Sequence, residues 1–275
     1  MVSKIILLIN LLFHQTHSYG EDCRLDPDCQ SYAAALTKAK YPSSSKEVKT
    51  LHSIRPSSPN LKFDSSSRVL LVNYGSVHDK HLVPGQKFTS TEQEWYSVYP
   101  DLKLACSQVE GVDKIKKRIN QILGLPPNYE SDNIVEVYAE VTSIFRPCPD
   151  PEVYDEQCVY EIPVLNSKGE NNDEPWFCPK FGQKVRQVGE PYIKVQTDHF
   201  SWMCENWRKS YNNKETYKNF PWTGLGYTYD WGSESGIGLS EYIVEKNSQL
   251  IFSQKFTVSE YCSPNNTHIK SPINI

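Results

Sequence analysis

Eight cysteines constrain this 275-residue chain more than any other feature of its sequence. They are Cys23, Cys29, Cys106, Cys148, Cys158, Cys178, Cys204 and Cys262. An even number of cysteines in an exported chain predicts a disulfide framework, with up to four bonds. Eight cysteines allow roughly a hundred pairings, so the connectivity stays open. Short loops favour Cys23 with Cys29 and Cys148 with Cys158, and the other four cysteines would then form longer crosslinks.

Metal ligation is the alternative use of these cysteines. Zinc sites built on cysteine usually contain closely spaced Cys-x-x-Cys pairs. The sequence contains no such pair, which also argues against a thioredoxin-type redox enzyme. His78 and His81 could share a metal ion on a helix, but their segment has the composition of a surface turn and no third ligand is evident. We therefore predict disulfides, no metal site and no cofactor.

Residues 1–20 follow the pattern of a secretory signal peptide. Lys4 supplies the positive charge, residues 5–13 form a short apolar run, and Ser18 and Gly20 are the small residues before a cleavage site after Gly20. The alternative is a buried N-terminal strand or helix. A signal peptide predicts export, in agreement with the cysteine count, to either an extracellular or a periplasmic destination.

Composition excludes several classes of protein. A hydrophobic fraction of 38% with a net charge of only −4 is typical of a folded, soluble chain rather than a disordered one. A pI near 6.0 argues against a nucleic-acid partner, which would need a strongly basic face. No apolar run reaches the ~18 residues of a membrane span. The oligomeric state is not evident, and neither is the glycosylation of Asn265, which begins a sequon.

The hydrophobic patterns predict an α+β fold, with a mainly antiparallel sheet and a helical pair on one face. Residues 21–67 are predicted to hold an N-terminal helix and a Ser/Pro-rich linker, and residues 68–275 a single domain. Helices are predicted over 29–40, after a capping box at 91–94, over 101–107 and over 112–123. Strands are predicted over 68–74, 134–141 and 192–197, with a β-meander made of 225–231, 239–245 and 250–258.

A basic cluster lies on the clearest of these helices. Lys114, Lys116, Lys117 and Arg118 alternate with the apolar positions of the 112–123 segment. The cluster could bind an anionic partner, but a solvated helix face explains it more simply.

The aromatic stretch 220–232 is the strongest candidate for a ligand site. Tyr227, Tyr229 and Trp231 would share one face of a strand, and Trp222 precedes them. Aromatic rings beside a carboxylate suit a glycan. The alternative is an aromatic layer of the core.

Catalytic candidates are few, because none of the common hydrolase, metalloprotease or nucleotide-binding motifs occurs. Asp230 and Glu241 could form the carboxylate pair of a glycosidase, or Asp230 could cap a turn. His199 stands beside Asp198 and near several aromatic residues, which makes it a lone acid–base candidate. Adjacent residues on a strand point to opposite faces, so a structural histidine is the alternative.

Three blocks of the sequence carry a resemblance. They are residues 145–152 (FRPCPDPE), 220–231 (FPWTGLGYTYDW) and 238–242 (GLSEY). In this order they resemble an uncharacterised family of secreted bacterial proteins, over roughly residues 104–262. Gly224 stands where that family has an arginine, so no role of a cation is transferred there. The resemblance implies export and a single domain, and it transfers no catalytic residue.

Two functions follow from these observations. The first is a secreted, disulfide-bonded binding or host-interaction protein, whose partner is a glycan or a host surface protein. The second is a secreted hydrolase acting on glycans through Asp230 and Glu241. Exposure of the aromatic residues distinguishes the two, because a hydrolase needs them in an open cleft with both carboxylates.

Overall fold

The structure is a computed structural model that describes residues 23, 25–75, 81–160, 164–165, 175, 177–178, 186–187 and 197–264. The predicted signal peptide, His78, residues 192–196 of the predicted strand over 192–197 and the sequon at Asn265 lie outside these residues, and Thr197 begins a helix instead.

A seven-stranded sheet organises the chain, and every pairing of neighbouring strands in it is antiparallel. In spatial order the strands are β2 (Lys87–Thr89), β11 (Gln249–Thr257), β4 (Asn133–Ala139), β1 (Val69–Tyr74), β3 (Glu94–Val98), β10 (Tyr242–Val244) and β5 (Ile144–Phe145). Two short hairpins stand apart, β6 (Val164–Leu165) with β7 (Arg186–Gln187) and β8 (Tyr227–Tyr229) with β9 (Ile237–Ser240). The predicted α+β class is confirmed.

The helices of the described residues are α1 (Pro27–Ala39), α2 (Asp101–Cys106), α3 (Val112–Ile122), α4 (Thr197–Tyr211) and α5 (Val258–Cys262). Short 3₁₀ turns span Ser44–Lys46, Val141–Ser143 and Thr216–Lys218. Within the described part of the chain, no helix combines the length and the hydropathy that a bilayer crossing requires.

The two faces of the sheet have separate cores. On one face, Leu71, Val137 and Tyr242 pack with Ile54 from the Ser/Pro-rich stretch 41–67. That stretch, predicted as a linker, therefore contributes a fully buried side chain to the core. On the other face α2, α3 and α5 pack on the sheet in a cluster that includes Ile119. This confirms the predicted helices α2 and α3, and α5 is an additional one.

The helix predicted after Thr91 is a strand instead. Its capping-box signature is real in sequence, but residues 94–98 pair with β1 and β10 as β3. Aromatic and β-branched residues such as Trp95, Tyr96 and Val98 fit a pleated surface well. The two neighbouring strands also form backbone hydrogen bonds with these residues, and together these stabilise a strand more than a local cap stabilises a helix.

The predicted β-meander is also wrong in its pairing beyond the first two strands. Residues 227–229 and 237–240 form the separate β8–β9 hairpin, β10 pairs with β3 and β5, and β11 pairs with β4 and β2. Turn signals between successive strands indicate where strands end, but they do not determine which distant strand becomes the neighbour.

All eight cysteines are paired. The bonds are Cys23–Cys29, Cys106–Cys262, Cys148–Cys158 and Cys178–Cys204. The two short loops favoured by the sequence are both closed, and the other four cysteines form the longer crosslinks. Four disulfides fit a protein that folds in an oxidising compartment outside the cytoplasm.

Candidate functional site

A cavity of about 390 Å³ lies between the main sheet and the layer that contains α4 and the β8–β9 hairpin. Its volume falls in the range of small-molecule sites, roughly 300–1,000 Å³. Aromatic side chains dominate the lining: Tyr74, Trp95, Tyr96, Phe220, Trp222 and Tyr229. Aliphatic residues complete much of the wall: Val72, Leu102, Leu123 and Leu125.

Distant segments of the chain build this cavity together. Strands β1 and β3 provide its sheet side, including Ser97, and the turn after α3 contributes Gly124. Helix α4 contributes Asn206, Ser210 and the exposed Lys209. Lys209 is thus the one cation that the described residues contribute to the lining, and it lies at an exposed position.

Trp95 and Trp222 also belong to a larger aromatic cluster. Their rings meet edge to face at 6.3 Å, and Trp202 of α4 stacks on Trp95 at 6.2 Å. Such pairs add stability beyond burial, so they hold the two indoles that form part of the cavity wall.

Most polar side chains around the cavity are already engaged within the fold. Asn73 Nδ2 donates to the Trp95 carbonyl at 2.7 Å, and Asn206 Nδ2 donates to the Trp202 carbonyl at 2.9 Å. Thr228 Oγ1 donates to the Ile122 carbonyl at 2.5 Å. The Tyr74 hydroxyl donates to the Ser131 carbonyl at 3.0 Å. A ligand therefore meets few polar groups that are not already hydrogen-bonded.

Glu241 is the exception. It is the one residue between β9 and β10, and its backbone N–H donates to the Gly226 carbonyl at 2.9 Å, which holds it in the wall. Its Oε2 is buried without a hydrogen-bond partner in the described part of the chain, and the same holds for Trp222 Nε1. Glu241 keeps some accessible surface because it lines the cavity.

The surroundings of Glu241 favour its neutral form. Burial raises the pKa of the carboxyl to about 8, and the nearby Trp222 indole N–H opposes the rise. The Trp222 indole N–H lies close enough to Glu241 to favour the charged carboxylate, although the two groups do not meet the geometry of a hydrogen bond. A carboxyl that changes protonation near neutral pH, in an apolar cavity, is typical of a functional site.

Replacing Glu241 by glutamine should remove a pH dependence of stability. Because the pKa is raised from 4.5 to about 8, the folded state holds a proton that the unfolded state has released between these pH values. The free energy of unfolding should therefore fall as pH rises from 4.5 to 8, by about 3 kcal/mol from this group, less than the full shift because the cavity leaves it partly accessible. Urea unfolding at pH 5, 6.5 and 8 measures it.

The difference between wild type and Glu241→Gln isolates this group. Burial also raises the pKa of Glu136 to about 7 and of Asp150 to about 6, so the wild-type slope alone is a sum. Two other ionisable groups lie near Glu241. Lys209 lines the same cavity, and the pKa of Tyr211 is raised by burial and, to a lesser extent, by the charge of Glu241. Equal slopes in the two proteins would contradict an uncharged Glu241 in the folded state.

Asp230, the other predicted carboxylate, is held elsewhere. Arg118 of α3 donates to both of its carboxylate oxygens, at 2.8 and 2.7 Å, and the Gly232 N–H donates to Oδ1 at 2.9 Å. Asp230 is buried and caps the turn after β8, as the alternative interpretation had it. It does not line the cavity, so among the described residues Glu241 is the only acid in the cavity lining.

The basic cluster on α3 is largely occupied in the same way. Besides Arg118, Lys117 pairs with Asp28 at 2.7 Å, and Lys116 lies 3.7 Å from Asp132. These contacts favour the interpretation as a helix surface over that of an anion-binding patch.

The four predicted aromatic ligand-binding residues separate into two pairs. Trp222 and Tyr229 line the cavity. Tyr227 is buried elsewhere, with its hydroxyl donating to the Lys46 carbonyl at 3.1 Å. Trp231 packs edge to face on Tyr32, and its Nε1 donates to the Leu125 carbonyl at 2.9 Å. A single strand face does not hold them together, because β8 ends at Tyr229 and its pairing with β9 is irregular.

His199 lies on helix α4, not on a strand. Its Nε2 donates to the Cys148 carbonyl at 2.7 Å, and its ring stacks on Trp202 at 5.7 Å. Burial lowers the pKa of the imidazole. These contacts give His199 a structural role beside the Cys148–Cys158 bond.

A group of acids lies in the loop closed by that bond. Oxygen atoms of Asp150, Glu152 and Asp155 lie within 4.8 Å of one another. Arg146 donates to Asp155 Oδ1 at 3.0 Å and so supplies a positive charge beside the group. The loop is not part of the cavity lining.

Several cavity residues were not identified from the sequence. Trp95 was expected on a helix, and Asn206 and Lys209 come from α4, a helix that was not predicted. A 3.6-residue pattern of Phe200, Met203, Cys204 and Trp207 was the signal available for α4.

A scan against models of protein families and searches of curated proteins and of solved structures found no match for this chain.

Proposed function

We propose that this protein is a secreted, non-catalytic binding protein that holds one small, mainly apolar molecule in the cavity beside Glu241. The supporting observation is the cavity itself: about 390 Å³, largely aromatic, with one carboxyl that makes no hydrogen bond through Oε2. A mainly apolar wall with a small number of polar groups is the usual composition of a small-molecule site.

A glycan ligand fits this cavity less well than the sequence suggested. A sugar carries several hydroxyl groups, and each one buried without a partner costs free energy. The side-chain donors of Asn73, Asn206 and Thr228 already form hydrogen bonds to backbone carbonyls of the protein. A molecule with one polar group leaves fewer hydroxyls unsatisfied.

The hydrolase alternative has little support from the geometry. Glycosidases use two carboxyl groups on opposite sides of the bond that breaks. Asp230 is paired with Arg118, and no other acid among the lining residues accompanies Glu241. Secretion and a glycan or host partner stay predictions from the sequence.

A titration with 2-phenylethanol tests the binding function. Trp95 and Trp222 line the cavity, so ligand entry should change the intrinsic fluorescence and give a saturable curve. Filling the cavity with Ser210→Phe, from a buried position on α4, should weaken binding at least about tenfold through steric exclusion. Equal affinity in the filled variant would place the ligand elsewhere.

The control is Ser201→Phe. Ser201 lies on the same helix but is exposed and does not line the cavity, so this substitution adds the same side chain without blocking the site. Its affinity should match that of the wild type.

A further inference from the structure

We infer that the ligand of this cavity is an organic cation, an alkyl or aryl amine whose ammonium group pairs with Glu241. The inference rests on the proposed function and names the chemical class of its ligand.

The first argument concerns the unmet hydrogen bond. Glu241 Oε2 is buried without a partner, and the Arg and Lys ion pairs found among the described residues all involve other acids. An isolated carboxylate in an apolar place is unfavourable unless a donor, and best a positive one, comes to it. An ammonium group supplies both the N–H donors and the charge.

The second argument concerns the walls. Trp95, Trp222 and Tyr229 line the same cavity as Glu241. Aromatic faces attract cations, tryptophan most strongly, and the attraction grows when water is excluded. A carboxylate together with indole and phenol rings is the combination that recognises an ammonium group.

The third argument excludes a metal ion. A hard cation such as calcium needs about six to eight oxygen ligands. Glu241 is the only carboxylate that the described part of the chain places in the lining, and Asn73 and Asn206 use their amides within the fold. The apolar remainder instead matches the hydrocarbon part of an organic amine.

Three ligands of similar size test the inference. 2-Phenylethylamine, 2-phenylethanol and 3-phenylpropionate share the aromatic ring but carry a cation, a neutral hydroxyl and an anion. At pH 7.5 the amine should bind about 30-fold more tightly than the alcohol, and the anion most weakly, because only the amine satisfies an ionised Glu241.

Glu241→Gln should reduce the affinity for the amine by about 30-fold while changing that for the alcohol by less than about threefold. The matched control is Glu205→Gln, an exposed acid on α4 that does not line the cavity, and it should change neither affinity.

Calorimetry in two buffers gives a readout that does not depend on a variant. Burial raises the pKa of the empty Glu241 carboxyl to about 8, so binding of an ammonium group at pH 7 should release a proton to the buffer. Burial raises the pKa of the Tyr74, Tyr96, Tyr211 and Tyr229 hydroxyls around the cavity, so these groups stay protonated at this pH. Binding of the alcohol should release none.

The outcomes separate the two proposals. If the alcohol binds as tightly as the amine, or both release the same number of protons, the cation inference is wrong and the binding function stands. An amine affinity that survives Glu241→Gln also overturns the inference. If none of the three ligands binds, both proposals fail.

Discussion

Replacing Cys106 and Cys262 together by alanine is expected to lower the free energy of unfolding by about 5 kcal/mol. This bond closes the longest loop of the four, with a sequence separation of 156 residues, and so restricts the unfolded chain most. It also joins α2 to α5 inside the core beneath the sheet, where both cysteines are almost fully buried. Denaturant unfolding under non-reducing conditions measures the loss.

The matched comparison is the double substitution of Cys23 and Cys29. Their separation is only 6 residues, for which the same chain-entropy argument gives about 2 kcal/mol. This bond lies at the start of α1, away from the sheet core. If removal of the short loop were as destabilising as removal of the long one, loop closure would not explain the effect.

The second large effect is expected at Arg146, where substitution by methionine should cost about 3–5 kcal/mol. The guanidinium is fully buried. Nη1 donates to Asp155 Oδ1 at 3.0 Å and to the Gln157 carbonyl at 2.5 Å, and Nη2 donates to the Asp155 carbonyl at 2.8 Å. Methionine keeps much of the volume but leaves these acceptors without their donor.

The loop of acids makes this loss larger. Without Arg146, the carboxylates of Asp150, Glu152 and Asp155 would lie together without the buried guanidinium that now pairs with Asp155. Arg55→Met is the control, because Arg55 is exposed and also donates to this loop, at the Tyr154 carbonyl. It should cost less than about 1 kcal/mol. A comparable loss in both variants would show that Arg146 acts only as one more surface contact.

Arg146 also links two of the sequence blocks that carry the family resemblance, residues 145–152 and 220–231. A Cβ at Gly226 would lie 2.5 Å from Arg146 Cδ, so the absence of a side chain lets the arginine stem pass. Gly226 also has a φ of +77°, which favours glycine. Residues 145–152 and 220–231 are thus in contact through a buried arginine and a glycine, a relation that neither block reveals on its own.

Local patterns predicted much of the secondary structure. The apolar spacing of Ile115, Ile119 and Ile122 was sufficient for α3, because these side chains lie on one face whatever the rest of the chain does. The cap of α1 is equally local, because the Asp26 side chain accepts from the Asp28 N–H two residues further along. The helix predicted from the capping signature at Thr91 is wrong, because strand pairing in the tertiary structure outweighed the contribution of a helix cap, which is about 1 kcal/mol.

The sequence predicted only part of the candidate site. Glu241, Trp222 and Tyr229, which their chemistry makes candidates, line one cavity. Asp230, Tyr227 and Trp231 have the same chemistry and are structural. Composition and spacing do not distinguish these two groups, because the distinction depends on partners such as Arg118, Lys46 and Leu125 that lie far away along the chain.

The sequence alone provided the number of cysteines, favoured the two short disulfide loops and predicted the α+β class, since the patterns involved join residues close together in the chain. Only the tertiary structure decided the strand order, the long Cys106–Cys262 crosslink and the cavity around Glu241. The physical reason is that burial, ion pairing and free volume arise where distant segments pack, and packing is set by the whole chain at once.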